Sequence, residues 1–434
     1  MTTIRERHLA ASAVVVAAAL AAACARRIVT ASGGSIERPP ASVSRNASDR
    51  TVRVGLSISG NATPSLSATG DWQLYAAGVD RLVARVPAGE VWHIERTGSR
   101  MRGIGPDGIA SAWQSSGLVA RSASGALIAV NGKRYRGELL FVQGDSGITI
   151  VNRVRMDDYL RGVVPLEIGT KDPRDSSAVQ AQAVTARSYA YVHAGASSSS
   201  RPYDVSASVS DQIYGGADVE TSVSNAAVST TRGLVLQYDG RVVNAPYHSA
   251  CGGSTAAADE IWRTPGEPYL QRVSDQIPGT DRFYCDIAPR FRWTRTLEGE
   301  TLRVALVRYL STYTATPGGY PGTPRDVQID TRTPSGRVGT LKIATDRGNY
   351  VLRGNDIRYV LRAPDGEILN STSFNVQATT GRDDAVTRLV LRGTGYGHGV
   401  GMCQWGAIGR ARAGQDVRTI LRTYYPGTTV GPIE

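Results

Sequence analysis

Gly395, Gly397, Gly399 and Gly401 alternate along residues 395–407, with His398, Cys403, Gln404 and Trp405 among or just after them. Glycine fills no core and loses the most backbone entropy on folding, so this alternation keeps a backbone thin and free to turn. An imidazole, a thiol, an amide and an indole carried on such a backbone can bind or react, and the pattern predicts that something polar approaches it closely. A second candidate lies far upstream. Glu167 sits among Val163, Val164, Pro165, Leu166 and Ile168. In a cleft with few polar neighbours, desolvation would favour its protonated form, the state a general acid needs to protonate a leaving oxygen.

These groups have to be held by the elements around them. Asp157 or Asp158 can cap a short helix through Tyr159, Leu160 and Val163, which Pro165 would end, presenting Leu166-Glu167-Ile168. Asp175 and Ser176 can cap an Ala-rich helix from about 178 to 193, which carries Arg187 and Tyr189 and stops at the loop 195–200. A hairpin precedes both, with strands at 137–142 and 148–154 joined by Gly144-Asp145-Ser146-Gly147. Period-two alternation at Val52, Val54, Leu56 and Ile58, followed by short segments at 82–86, 90–94 and 127–130, predicts a small all-β domain at 51–136 with no catalytic cluster. Later strands are expected at 234–238, 242–247, 338–344 and 349–352, with a helix at 300–311. The fold class is therefore α+β, mostly antiparallel β with a few helices, and the main domain spans 137–434.

At the N-terminus, Arg5 and Arg7 precede an apolar run from Leu9 to Ala23 broken only by Ser12, which reads as a secretory signal over 1–23. The run is too short to span a bilayer comfortably. Ala21-Ala22-Ala23-Cys24 resembles a lipoprotein signal in which Cys24 is lipidated, and an ordinary Ala-x-Ala cleavage is the alternative. A polar linker follows over 24–50. The chain carries a formal charge of +11, nearly all of it arginine, since Lys133, Lys171 and Lys342 are the only lysines. Guanidinium forks suit carboxylates and phosphates. In an exported protein this charge suits an anionic envelope polymer better than nucleic acid, and a generally basic proteome is the alternative origin. Abundant glycine and scarce phenylalanine suit a loop-rich fold rather than a helical bundle.

Several motifs occur in one order: Val151-Asn152, Asp158-Tyr159-Leu160-Arg161-Gly162-Val163-Val164-Pro165-Leu166-Glu167, the run 181–190, Asp211-Gln212-Ile213-Tyr214-Gly215-Gly216, the run 247–255, the glycine-rich stretch, and Tyr424-Tyr425-Pro426-Gly427. Over about 137–430 the chain resembles the SpoIID/LytB family of bacterial cell-wall proteins. The resemblance implies a lytic transglycosylase that cuts glycan strands of peptidoglycan, with Glu167 as the catalytic acid and then base. Such an enzyme closes an anhydro ring with the sugar's own 6-hydroxyl, so it needs one carboxylate where ordinary glycosidases need two. No partner is therefore required among Asp157, Asp158 or Asp211. The resemblance also implies strands already stripped of stem peptides, an amidase as partner, and an envelope location, anchored or secreted. Arg187, Tyr189, Gln212, Tyr214, His398 and Gln404 become candidate sugar contacts; the alternatives are a helix-surface position for Arg187, packing for Tyr189, Gln212 and Tyr214, and structural hydrogen bonding for His398 and Gln404. Part of the family is described as amidase enhancers, which leaves a glycan-binding protein without catalysis as the rival reading.

With Cys24 set aside, Cys251, Cys285 and Cys403 remain, an odd number in an oxidising compartment. A disulfide between Cys251 and Cys285 is the simplest pairing and leaves Cys403 free. The family's glycine-rich motif more usually has serine at that position. Cys403 with His398 as nucleophile and base is a competing mechanism. No cofactor is required, but some family members bind zinc, and His248-Ser249-Ala250-Cys251 places two ligand types three residues apart. Cys285, with Cys403 or His398, would complete a tetrahedral set.

Overall fold

A computed structural model describes residues 50–56, 63–122, 124–144, 147–169, 172–196 and 201–432. The leader, Cys24 and the linker up to residue 49 lie outside these residues, as do Ile58 and most of the loop 195–200. Among the described residues no helix is long and apolar enough to cross a membrane. The chain divides into two compact units: an N-terminal one of residues 50–246 with Arg410–Thr423 and 427–432, and a C-terminal one of Tyr247–Gly409 with Tyr424–Pro426.

The N-terminal unit is built on a seven-stranded sheet. Its strands are β1 (Thr51–Leu56), β2 (Trp72–Ala76), β3 (Arg81–Val86), β4 (Leu118–Ser122), β5 (Glu138–Gln143), β6 (Ile148–Arg155) and β7 (Val205–Ser206), in the spatial order β7-β1-β6-β5-β4-β2-β3. Every pairing is antiparallel except β1 with β7. A five-stranded sheet formed from 65–68, 92–97, 100–104, 128–130 and 133–135 lies in the same unit. The segment 51–136, expected to stand as a separate small domain, shares its main sheet with the hairpin β5–β6. Val52, Val54, Leu139 and Phe141 are buried there together.

Three helices complete the part that matters for Glu167: α1 (Met156–Glu167), α2 (Ser176–His193) and α3 (Ser222–Thr230). Tyr159, Leu160, Val163 and Val164 recur at helical spacing and bury one face of α1. Pro165 does not end this helix. It sits in the last turn, and the helix stops beyond Glu167, where Gly169 takes the left-handed conformation with φ +58. The expected caps also differ. Asp157 and Asp158 lie inside the first turn of α1, after the N-cap residue Arg155, where negative charge complements the helix dipole. Asp175 precedes α2 but gives its carboxylate to Arg412 at 2.7 and 3.0 Å. Alanine lets α2 form readily and pack on most sides, and twelve of its eighteen residues are buried.

In the C-terminal unit, two three-stranded antiparallel sheets (292–298, 374–380 and 386–394; 324–332, 338–345 and 348–353) enclose a core with the helix Gly299–Tyr309. Leu302 and Leu306 of that helix meet Leu341, Ile343, Leu389 and Leu391. The strand expected at 242–247 is reduced to pairs at Arg241–Val242 and at β8 (Tyr247–His248), which runs parallel to β9 (Met402–Cys403).

Candidate active site

Glu167 closes α1, half-buried, and its Oε1 accepts the backbone N–H of Ile213 at 2.8 Å. The segment 211–216 is bolted to α1 at two more points. The Tyr159 hydroxyl donates to Gln212 Oε1 at 3.1 Å, and the Gly215 N–H donates to the Gly162 carbonyl at 3.1 Å. Gly162 is required here, because a Cβ at that position would lie 2.5 Å from the Tyr214 ring. Tyr214 in turn donates to Asn152 Oδ1 at 2.7 Å, while the Asn152 amide donates to the carbonyls of Arg136 and Glu138. The motifs around Asn152, Glu167 and Gln212 thus form one interlocked block.

The surroundings of Glu167 are more polar than its sequence neighbours suggest. Val163 and Val164 turn into the core and Leu166 is 39% exposed, so the groups near the carboxylate come from other segments. Burial, reinforced by nearby carboxylates including Glu167 and Asp211, pushes the Tyr159 and Tyr189 phenols far up, which keeps both as neutral hydrogen-bond donors. Tyr189 donates to Asp211 Oδ1 at 3.1 Å and stacks on His193. Asp211 also accepts from the Ser206 N–H (2.9 Å) and hydroxyl (2.7 Å) and pairs with Arg201 at 3.3 Å. The second carboxylate of the neighbourhood is therefore occupied in holding a loop.

Three of the expected sugar contacts are interior. Arg187 is fully buried. It pairs with Asp157 at 3.1 Å and donates to the carbonyls of Val228 and Leu234, which binds α2 to the C-terminal end of α3. Helix ends leave carbonyls unpaired, and a guanidinium satisfies them. Desolvation lowers the Arg187 pKa from its usual value while Asp157 opposes the fall. Gln212 and Tyr214 are buried as well, so their polar atoms position α1 instead of facing a substrate. Tyr189 keeps part of its surface exposed.

In the C-terminal unit the glycine-rich stretch is as constrained as its composition implies. Gly395, Gly397, Gly399 and Gly401 all have positive φ, between +70 and +113. What approaches this backbone is the protein itself. A Cβ on Gly399 would lie 2.5 Å from the Arg337 guanidinium, one on Gly397 2.8 Å from the His248 Cβ, and one on Gly395 2.8 Å from the Ala250 carbonyl. His398 is part of the same packing. Its Nε2 lies 2.8 Å from the Tyr247 carbonyl and its Nδ1 accepts the Val400 N–H at 3.1 Å, which fixes a neutral imidazole with both nitrogens engaged. Burial, with Arg358 and Arg337 nearby, pulls its pKa down to about 3. With both nitrogens engaged it is not a base for Cys403; its ring keeps part of its surface exposed, whereas Gln404 is buried.

The thiols depart from the expected pairing too. Cys251, Cys285 and Cys403 are all buried and free, with the Cys251 and Cys285 sulfurs 3.3 Å apart where a disulfide needs about 2.05 Å. Asp275 joins them, and the four donor atoms lie within 4.8 Å of one another. His248, expected as a ligand, is not in this set; its Nδ1 lies 3.1 Å from the Val400 carbonyl. Burial pushes the Cys251 and Cys403 thiols up, while hydrogen bonds from those two sulfurs pull Cys285 down to about 3. Asp275, Arg337 and Tyr424 complete this cluster and were not singled out as site residues from the sequence. Asp275 stands alone in a loop, with no spacing signal to mark it.

Comparison with known proteins finds matching segments in both units. The family described as "Stage II sporulation protein" matches residues 144–238, and a domain of unknown function matches 280–401. An uncharacterized protein of Brachyspira hyodysenteriae is 30% identical over 316 residues, covering 72% of this chain and 76% of the relative. The "Stage II sporulation protein D" of Bacillus amyloliquefaciens is 28% identical over 64% of the chain and 75% of the relative. The "Amidase enhancer" of Bacillus subtilis is 28% identical over 70% of the chain, but only 45% of that protein's own length is spanned. The chain belongs to the SpoIID/LytB family. The SpoIID match contains Glu167 and Ile213 with Asn152, Tyr159, Gly162, Gln212 and Tyr214, while Arg136 and Glu138, whose carbonyls hold Asn152, precede it. Cys251, Asp275 and Cys403 fall outside both matched segments.

Proposed function

We propose that this SpoIID/LytB protein acts in the cell envelope on peptidoglycan, as a lytic transglycosylase that cleaves glycan strands and leaves 1,6-anhydromuramyl ends. The observation that carries the reading is Glu167 at the end of α1, with one oxygen held by the Ile213 N–H and neutral tyrosines beside it. In the protonated state Glu167 donates its proton to the glycosidic oxygen as the bond to C1 breaks. The carboxylate that results then takes the proton of the sugar's 6-hydroxyl while that oxygen bonds to C1, which returns the acid to its first state. A backbone N–H aimed at Oε1 stabilises the carboxylate formed halfway. No water enters, so no second carboxylate is needed to position one, in keeping with Asp211 being committed to Ser206, Tyr189 and Arg201.

The same proposal takes strands denuded of stem peptides as substrate, an amidase as the enzyme that prepares them, and export through the leader with Cys24 as lipid anchor. A second reading is favoured by the relative named as an amidase enhancer, namely that the chain grips glycan for an amidase without cutting it. Incubating the purified protein with denuded strands and analysing products by mass spectrometry separates the two. Anhydromuramyl ends from wild type, and none from Glu167→Ala, support the enzyme. Strands bound but left intact by wild type overturn it in favour of the second reading.

A further inference from the structure

We propose that Cys251, Asp275, Cys285 and Cys403 together hold one zinc-class divalent ion as a closed structural site in the C-terminal unit. The inference is independent of the reading of Glu167. It starts from geometry. A tetrahedral zinc with Zn–S bonds near 2.3 Å sets neighbouring sulfurs about 3.8 Å apart. Here Cys251 Sγ is 3.3 Å from Cys285 Sγ and 3.7 Å from Asp275 Oδ2, and all four donors fall within 4.8 Å of one another. Such a set closes round one ion with small movements.

The shell outside the donors is arranged for the same purpose. Cys403 Sγ receives two backbone N–H groups, from Cys251 and Gly406, each at 3.2 Å, as a metal-bound thiolate would. The Tyr424 hydroxyl donates to Asp275 Oδ1 at 2.7 Å, while Oδ2 faces Cys251. Hydrogen bonds of this kind orient ligating carboxylates. Gly406 is needed to let them meet, because a Cβ there would lie 2.0 Å from the Tyr424 oxygen and 2.5 Å from Asp275 Oδ2.

Charge supplies an independent argument. Three thiolates and a carboxylate around a dication leave a net charge of about −2, which a buried site has to offset. Arg337 is 1% exposed, its Nη2 donates to the Cys251 carbonyl at 2.7 Å, and its Nε and Nη1 have no hydrogen-bond partner among the described residues. A buried guanidinium without a carboxylate on it is costly unless an anionic group lies nearby, and the loaded cluster is that group. Four protein ligands leave no open position for water, which marks a structural site, not a catalytic one. Soft thiolates select zinc over magnesium or calcium. The ion would tie the loop at 249–251, the segment 275–285 and the glycine-rich turn into one piece.

The test uses the full mature chain purified under reducing conditions. Elemental analysis is expected to give about one zinc per chain. Exchange for cobalt is expected to produce thiolate charge-transfer absorption and the visible bands of a tetrahedral site. Tyr424→Phe, which keeps all four ligands, is expected to weaken zinc by about 10 to 100-fold in competition with a chromogenic chelator. Folded wild-type protein that takes up neither zinc nor cobalt overturns the proposal. So does intact mass showing a Cys251–Cys285 disulfide in protein prepared with zinc present. Zinc that survives Cys403→Ala and Asp275→Ala but is lost in His248→Ala places the ion elsewhere and also overturns it.

Discussion

Removing the Asp157 carboxylate distinguishes an Arg187 that holds the fold from one that holds a sugar. Arg187 is fully buried and, among the described residues, Asp157 is its one carboxylate partner at hydrogen-bond distance, at 3.1 Å. Breaking a buried pair leaves an uncompensated charge and costs about 3 to 5 kcal/mol. Because Arg187 keeps its bonds to the Val228 and Leu234 carbonyls, the lower end applies. In a unit of this size each kcal/mol moves the melting temperature by about 2 to 4 °C, so Asp157→Asn is expected to lower it by about 6 to 12 °C. Calorimetry on Asp157→Asn, Arg187→Met and the double variant completes a cycle. The double variant is expected to be more stable than the sum of the two losses, since the orphaned charge is gone. A melting temperature unchanged in Asp157→Asn, with glycan binding lost in Arg187→Met, would refute the structural assignment.

Gly399→Ala forces an L side chain to φ +93 and drives a Cβ to 2.5 Å from the Arg337 guanidinium. The backbone term alone is about 1 to 3 kcal/mol, and chemical denaturation should show at least that loss. Gln212→Met leaves the buried Tyr159 hydroxyl without its acceptor and is expected to cost about 1 to 3 kcal/mol; no measurable change would mean that this contact is not formed. His248 and His398 are held neutral by burial, with His398 near 3, whereas unfolded imidazoles gain protons near 6.5. The unfolded chain therefore binds more protons below about pH 6.5, so their contribution is fully present above that pH and is lost as pH falls towards 3. Melting temperatures between pH 7 and 5 should drop, and His398→Asn should make the drop shallower; a flat profile contradicts the assignment.

The sequence made the strands around Val52 and Leu139 legible, as well as both helices near Glu167, because apolar spacing reports which face is buried. It misplaced the end of α1, since a proline in a last turn forgoes one hydrogen bond and the helix can continue to a glycine in the left-handed region. Arg187, Gln212 and Tyr214 looked like binding groups because polar side chains in a motif carry no sign of whether their partner is a ligand or the chain. The glycines at 395–401 announced a close approach, but the approaching groups, Ala250, His248 and Arg337, lie far earlier in the chain, and spacing alone does not connect them to the glycines. For the cysteines, counting in an oxidising compartment favoured a disulfide, and Asp275 became visible as their companion only when the chain was folded. The boundary at 136 followed the hairpin and the family resemblance that both begin at 137, and the sheet runs across it.

The central claim is that Glu167 serves as acid and then base with no water in the reaction. Digesting denuded strands in water labelled with heavy oxygen tests it most directly. The account predicts new anhydromuramyl ends without label from wild type, and loss of cleavage in Glu167→Gln. Labelled reducing ends, or cleavage that survives in Glu167→Gln, would contradict it.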